Sequence, residues 1–328
     1  MDANGEFYDQ PDLVRNGGPG RRNKYSIPKY QDVAHLFNDP VAAEEFLMDE
    51  GCFNIPEHCE QCGEPITCTP NKKKLIRCGR RACIHENGNR FSRSVTEGTF
   101  FMGCRIPLNE MVHFLWLFCC GVTHTFLCSH FGWSSATVTN WMLFVRQLIG
   151  EMVLLHHDAI GGPGIVVEID ESKFGKRKCN RGHRVDGVWV FGGVERTPER
   201  RCFLVKVPNR NRTTLYNLIR THILPGSLIR SDKFSSYFTI EQIEGYFYEH
   251  EMVNHSETCV DPDTGCHTNT IEGTWNGVKV GVPVRKRTWK HVQNCLHEFT
   301  WRRQNAGRLW EAMIDALRTV RFLSHWDD

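Results

Sequence analysis

Three carboxylates stand in stretches that could bring them together. Asp170 lies in Val167-Glu168-Ile169-Asp170-Glu171-Ser172, Asp232 in Leu228-Ile229-Arg230-Ser231-Asp232-Lys233, and Glu272 in His267-Thr268-Asn269-Thr270-Ile271-Glu272. Carboxylate oxygens are the ligands that hard divalent ions such as Mg²⁺ or Mn²⁺ require. Two such ions, roughly 3.5–4 Å apart, activate the attacking oxygen and stabilise the leaving one in phosphodiester chemistry. The flanks suit an anionic substrate. Lys173, Lys176, Arg177 and Lys178 follow Asp170, and Lys279 lies two turns beyond Glu272 on the same helical face. Each acid alone has a plainer reading: a strand-end turn residue at 170, a cap at 232, a first-turn acid favoured by the helix dipole at 272. Strand alternation puts Glu168 on the face of Asp170 and Glu171 on the opposite one. Both compete with Asp170 as metal ligand, and Glu168 also fits as an acid supporting it.

The elements that must position these groups can be read from the pattern. Ile165–Ile169, Val185–Val194 and Cys202–Val207 are β-rich runs, so Asp170 is expected at the end of the first strand. Thr213–Ile223 has helical spacing, Ser227–Ser231 is a short strand that delivers Asp232, and Tyr246–Val253 is a fifth strand. Thr270–Val280 is helical with Thr268 or Asn269 as cap, which puts Glu272 in its first turn. Strands followed by strand–helix alternation predict a mixed sheet covered by helices. Carboxylates on the first strand, the fourth strand and a late helix match a ribonuclease H-like layout over residues 165–305. The glycine-rich Gly161-Gly162-Pro163-Gly164 marks the boundary before it.

Two further segments precede that boundary. Residues 51–104 read as a zinc-ribbon-like module. Cys59-x-x-Cys62 is a metal knuckle, and Cys78 with Cys83 completes four thiolates for a structural zinc. The wider second spacing leaves Cys68 and His85 as substitutes. Residues 105–160 read as a helical, helix-turn-helix-like segment, with helices over Leu108–Cys119, Thr123–Phe131 and Ser134–Ile149. Gly132-Trp133-Ser134 resembles the turn before a recognition helix, which would present Thr137, Thr139 and Asn140 to bases. Val138, Trp141, Phe144, Val145 and Leu148 should face the core. Residues 1–50 are a polar lead-in with short helices. There Asp39 and Pro40 start a helix whose apolar stripe is Val41, Phe46 and Leu47. Residues 306–328 form a helical tail.

Composition narrows the function classes. The 15 cysteines come without a secretory pattern, which favours reduced thiols and metal ligands over a disulfide scaffold. No apolar run approaches the roughly 18–20 residues of a membrane span, and no membrane partner is expected. The net charge is only +2, but residues 71–93 hold eight Lys/Arg against one acid and residues 281–310 hold seven against one. Residues 1–60 hold twelve acids against five Lys/Arg. Basic patches of this kind suit a polyanion, although one patch alone is more often a solvated face.

Ile169-Asp170-Glu171-Ser172-Lys173-Phe174-Gly175-Lys176, Ser231-Asp232-Lys233 with Tyr237, and His267-Thr268-Asn269-Thr270-Ile271-Glu272-Gly273-Thr274-Trp275 resemble the ISXO2-like (IS1595-type) transposases. Their eukaryotic relatives, the Merlin-type elements, look closest. The resemblance covers roughly residues 40–305. It implies a DDE triad of Asp170, Asp232 and Glu272, divalent metal, and cut-and-paste transposition at short inverted terminal repeats. It also implies terminal-repeat and target DNA as partners, a homo-oligomer on DNA, and action in the nucleus of a eukaryote or the cytoplasm otherwise. A domesticated or inactive DNA-binding protein that keeps the fold is the alternative, and a metal-dependent nuclease without strand transfer is a third reading.

Overall fold

The computed structural model describes residues 27–66, 75–78, 80, 82–84, 92–156, 159–175, 187–253 and 266–322. Helices α1 (Tyr30–Asn38) and α2 (Pro40–Asp49) come first, then strands β1 (Leu75–Arg77) and β2 (Ser92–Ser94) and helices α3 (Leu108–Cys120), α4 (His124–Phe131) and α5 (Ser135–Leu155). Next are β3 (Ile160–Gly161), β4 (Val166–Phe174), β5 (Val188–Glu195), β6 (Cys202–Val207), α6 (Arg212–His222), β7 (Ile223–Leu224), β8 (Leu228–Asp232) and β9 (Glu249–Val253). Helices α7 (Asn269–Gly281), α8 (Val292–Gln304) and α9 (Leu309–Thr319) close the order. The chain divides into two compact units, one holding Val153–Ala306 and the other Tyr25–Met152 with Gly307–Asp328.

The unit of Val153–Ala306 is built on a five-stranded mixed sheet of order β6-β5-β4-β8-β9. β4 pairs antiparallel with β5, and β5 with β6, whereas β4–β8 and β8–β9 are parallel. A parallel neighbour needs a crossover, and α6 supplies the one between β6 and β8. Its cap is Asn211, which accepts from Thr214 N at 2.9 Å. Alternation along the strands then fills two cores. Val167, Ile169, Phe191 and Ile229 bury against Leu215 and Ile219 of α6. Phe174, Val190 and Leu204 bury against Ile271, Trp275 and Val278 of α7 and Leu296 of α8. Full burial of a Leu or Ile side chain is worth roughly 1.5–3 kcal/mol, so Leu215 and Ile219 secure α6.

One boundary departs from expectation in a way that matters. β4 continues past Ile169 to Phe174, so Asp170 lies mid-strand rather than at a strand exit. The reason is a long-range partner. β5 holds the whole stretch in register, with Asp170 opposite Gly192 and Phe174 opposite Val188. Asp232 does end β8, and Glu272 does fall in the first turn of α7.

In the other unit the capping residues sit where their chemistry puts them. Asp39 accepts from Val41 N at 2.8 Å with Pro40 opening α2. Gly121 ends α3 in the left-handed region, Thr123 caps α4, and Ser134 Oγ accepts from Thr137 N at 3.1 Å ahead of α5. The stripe on α2 is corrected: Leu47 is buried and Phe46 stacks on Trp310, but Val41 points outward at 62% exposure. On α5, Val138, Val145 and Leu148 are buried as expected, whereas Trp141 and Phe144 are only partly so. α5 also runs past Ile149 to Leu155. Its 21 residues, with a mean hydropathy of 1.2 over 18 of them, meet the length and composition of a membrane span, against the expectation that no run comes near. The sequence count missed it because Thr, Asn, Arg and Gln interrupt the run without breaking the helix.

Candidate active site

Asp170 projects from the middle of β4 toward α7. Glu171 N–H donates to its Oδ1 at 2.7 Å, and the Trp275 indole N–H donates to Oδ2 at 3.0 Å. Asp232 accepts from Phe234 N at 3.1 Å, and Glu272 accepts from Thr268 Oγ1 at 3.3 Å. Burial pushes the Asp170 carboxyl up to about 6. The negative charges of Asp232 and Glu272 push the same way, against the bonds from Glu171 N–H and Trp275. The fold therefore brings Asp232 and Glu272 into electrostatic range of Asp170.

Glycine at 192 is what lets Trp275 reach Asp170. A Cβ there would stand 2.8 Å from the indole Cη2 and 2.9 Å from Leu204 Cδ2. Sequence reading passed over Gly192, although glycine inside a β-rich run marks a close approach. Gly192→Val should displace Trp275 and lower any metal-dependent activity roughly 10–100-fold, the usual cost of losing a ligand's outer partner. A kinetic assay beside Trp275→Phe checks this, and full activity in both variants would make the indole–carboxyl bond dispensable.

Glu168 is fully buried on the same face. It accepts from Thr270 N at 2.8 Å, Thr270 Oγ1 at 2.9 Å and Ile271 N at 3.0 Å, with Arg196 Nε 3.4 Å away. Thr268 occupies the cap position of α7 without capping it, so Glu168 does that work from another element. A carboxylate suits a helix N-terminus because the unsatisfied N–H groups and the dipole both favour negative charge. The clamp fixes the α7 turn that carries Glu272 to the strand that carries Asp170. Glu168→Ala would orphan those donors and leave Arg196 unbalanced, a loss of about 3–5 kcal/mol. Urea unfolding measures it, and a loss below about 1 kcal/mol, the net worth of one ordinary hydrogen bond, would contradict the clamp. Beside it, Arg196 Nη2 lies 2.7 Å from His267 Nε2, and burial followed by the Arg196 charge lowers the His267 pKa.

Glu171 turns to the α6 side. The Tyr237 hydroxyl donates to it and Arg210 lies 3.8 Å away. Burial, then the Asp170 and Asp232 charges, raise Glu171 to about 7 against the Tyr237 bond.

The other expected contacts are placed as follows. Lys279 is half-buried with Nζ 6.0 Å from the Phe174 ring, and Lys173 is exposed with Nζ 5.3 Å from the Trp189 ring. Lys176 and Arg177 lie outside the described residues. In the other unit, Asn140 of α5 is exposed, while Thr137 Oγ1 is 2.9 Å from Ser134 Oγ and so joins the cap.

The same unit holds a second candidate centre. The Sγ atoms of Cys59, Cys62, Cys78 and Cys83 all lie within 4.8 Å of one another, a set that could hold a metal ion. Cys59 and Cys83 are 3.7 Å apart, Cys62 and Cys78 3.5 Å. The knuckle is tied by Gly63 N to Cys59 O at 2.8 Å, with Gly63 at φ 71°, where a side chain would be strained. Burial raises Cys59, but N–H groups of Cys62 and Gln61 and the neighbouring thiols outweigh it and bring it down to about 7. Burial and contact with Cys62 and Cys59 push Cys83 up to about 12. Once one thiolate forms, the others resist ionising without a cation among them. Cys68 and His85 lie outside the described residues.

Residues 160–304, which include all three carboxylates, match the family model of the ISXO2-like transposase domain. An uncharacterized transposase-like protein of Haemophilus influenzae is 29% identical over 112 residues, covering 32% of this chain and 83% of that one. The crystal structure of the Mos1 strand transfer complex aligns over 66% of this chain and 78% of that chain, at 12% identity and a TM-score of 0.19, too loose a likeness to carry an argument.

Proposed function

We propose that the chain is a DDE transposase whose Val153–Ala306 unit is a ribonuclease H-like catalytic domain cutting and joining DNA at inverted terminal repeats. The observation that carries the reading is Asp170: a half-buried carboxyl, bonded by Trp275 and the Glu171 N–H, raised to about 6 and in range of the charges of Asp232 and Glu272. Like charges delivered to one place by a strand, a strand end and a helix need a compensating cation, and an all-oxygen donor set fits Mg²⁺ or Mn²⁺. When bound, such ions supply Lewis-acid activation of the attacking oxygen and stabilise the leaving one.

The protein's own share is to hold and orient. Trp275 and the Glu171 N–H fix both oxygens of Asp170, Glu168 fixes the helix of Glu272, and the chain after β8 anchors Asp232. Lys173 and Lys279, with Lys176 and Arg177, take DNA phosphates. Asn140 of α5 reaches bases while the Thr137 hydroxyl stays with the helix cap, and the four-cysteine centre holds a structural zinc that keeps a basic platform rigid for backbone contact. The His267–Trp275 motif supports kinship with Merlin-type elements. Two DNA ends must be handled together, so a homo-oligomer on DNA is expected.

The raised carboxyl has a pH consequence. Between the unfolded value of 3.8 and the folded value of about 6, the native state binds more protons, so stability falls as pH rises through that window. A cation offsets the loss only where Asp170 is ionised. Mn²⁺ should therefore raise the melting temperature at pH 7.5 and have little effect at pH 5; equal shifts at both would count against the site.

The deciding experiment uses a duplex ending in the element's terminal repeat, with its 3′ end labelled. Transfer of label into target DNA is the expected result. Cleavage without joining would make the protein a metal-dependent nuclease, and binding without cleavage a domesticated DNA-binding protein.

A further inference from the structure

The stretch Lys279–His291 carries five Lys/Arg and no acid. Three of its apolar side chains nevertheless face solvent: Val280 at 89% exposure, Val284 at 74% and Trp289 at 49%. The backbone beneath them is firmly tied. Arg287 donates to Lys279 O at 2.5 Å and Val282 O at 3.1 Å, closing the end of α7. Lys206 Nζ donates to Trp289 O at 3.0 Å and lies 4.6 Å from its ring centroid. Gln293 in turn bonds Lys206 N at 3.0 Å and Leu204 O at 3.2 Å on edge strand β6. Trp289 is thus displayed from a tied frame rather than left over from a loose turn. Arg287 is used structurally, but Arg285 and Lys290 are exposed. Lys286 and Lys290, after burial, help hold His291 below its usual pKa, a sign of the local positive potential.

The chemistry selects the occupant. A second copy of this surface would set cations against cations. An apolar protein groove would strip water from those cations. A strand of unpaired nucleic acid satisfies both halves, since phosphates take the cations and any base has a face for the indole. The surface also adjoins the strand that carries Asp170, with the Arg287 guanidinium 5.9 Å from the Phe174 ring at the end of β4. We propose that the Val280–Lys290 surface binds single-stranded DNA beside the candidate active site, one base stacking on Trp289 and phosphates on Arg285 and Lys290. The identity of the polyanion rests on the transposase reading.

The test is fluorescence anisotropy of the full chain with two probes, a blunt duplex and the same duplex carrying a single-stranded tail. Trp289→Ala should weaken tailed DNA roughly tenfold, the loss of one base–aromatic stack, and leave the blunt probe nearly unchanged. Trp289→Phe should restore the tailed affinity, with an unchanged melting temperature as the folding control. Arg285→Gln with Lys290→Gln should weaken both probes and lower the salt slope by about two. Unchanged tailed affinity in Trp289→Ala, or equal loss on both probes, would overturn the proposal. So would a loss confined to anionic vesicles or to self-association. Binding needs no cleavage: a protein that uses Trp289 but never cuts overturns the transposase reading alone, and one that cuts while ignoring Trp289 overturns this proposal alone.

Discussion

Asp170→Ala or Glu272→Ala is expected to abolish metal-dependent DNA cleavage while sparing binding to the terminal repeat. Loss of a metal-bound carboxylate removes several kcal/mol of transition-state stabilisation. At one decade of rate per 1.36 kcal/mol, that is roughly 10³-fold or more. The two variants should differ in their side effects. Asp170 is half-buried and bonded to Trp275, so its removal also frees the indole and changes packing under α7. Glu272 is exposed, so Glu272→Ala should leave the melting temperature of the metal-free protein within about a degree or two, as surface changes near ±0.5 kcal/mol do. Removing either acid also lessens the repulsion on the others. Metal-free stability at neutral pH should therefore hold or rise in Glu272→Ala even as cleavage vanishes. Undiminished cleavage in either variant would remove that residue from the site.

Zinc removal should have an effect of similar size on a different observable. Among the described residues between Cys59 and Cys83, the buried side chains are Cys59, Cys78, Cys83 and Ile76, with Cys62 and Ile66 packed against the three cysteines. With zinc in the four-cysteine centre, as proposed, so small a module would lean on it, since structural zinc in peptide-sized domains contributes about 10–16 kcal/mol at neutral pH. A strong chelator, or Cys62→Ser, should unfold the β1–β2 region, seen as lost hydrogen-exchange protection at Ile76 and Cys78. Repeat binding should weaken because the basic platform loses its shape. One zinc per chain by elemental analysis, and none in Cys62→Ser, is the matching stoichiometry. A chain that keeps full protection without metal would mean the four thiols are packing residues. The paired thiol values, about 7 for Cys59 and about 12 for Cys83, add that zinc uptake should release protons and weaken as pH falls.

What sequence could show follows from how local each cause is. Helix starts were readable because a cap acts within three or four residues: Asp39 and Ser134 both sit at the ends their side chains favour, and Thr123 caps the helix it was expected to open. The supporting face of Glu168 was readable because strand alternation is local, but its role as the cap of α7 was not, since the two are 102 residues apart. The length of β4 was hidden for the same reason. Residues Asp170 to Lys173 look like a strand exit until β5 pairs with them. Gly192 offered only a weak signal, because its importance lies in a tryptophan 83 positions away that must pass over it. Trp275 itself stood within the motif, yet nothing local says that its N–H reaches Asp170. Val41 turns outward because α2 buries Ala43 and Leu47, a choice set only by what the helix packs against.

In the proposed site, Asp170, Asp232 and Glu272 together hold the divalent metal required for DNA cleavage. The most direct measurement is cleavage of a duplex carrying the element's own terminal repeats, run with Mg²⁺, with Mn²⁺ and without divalent metal, using the unaltered chain and Asp232→Asn. Asp232→Asn keeps the shape of the β8 end and an oxygen for the Phe234 N–H, and removes only the charge. Cleavage by the unaltered chain that requires added metal and disappears in Asp232→Asn is the predicted result. Cleavage that persists in Asp232→Asn, or that proceeds equally well without divalent metal, would contradict it.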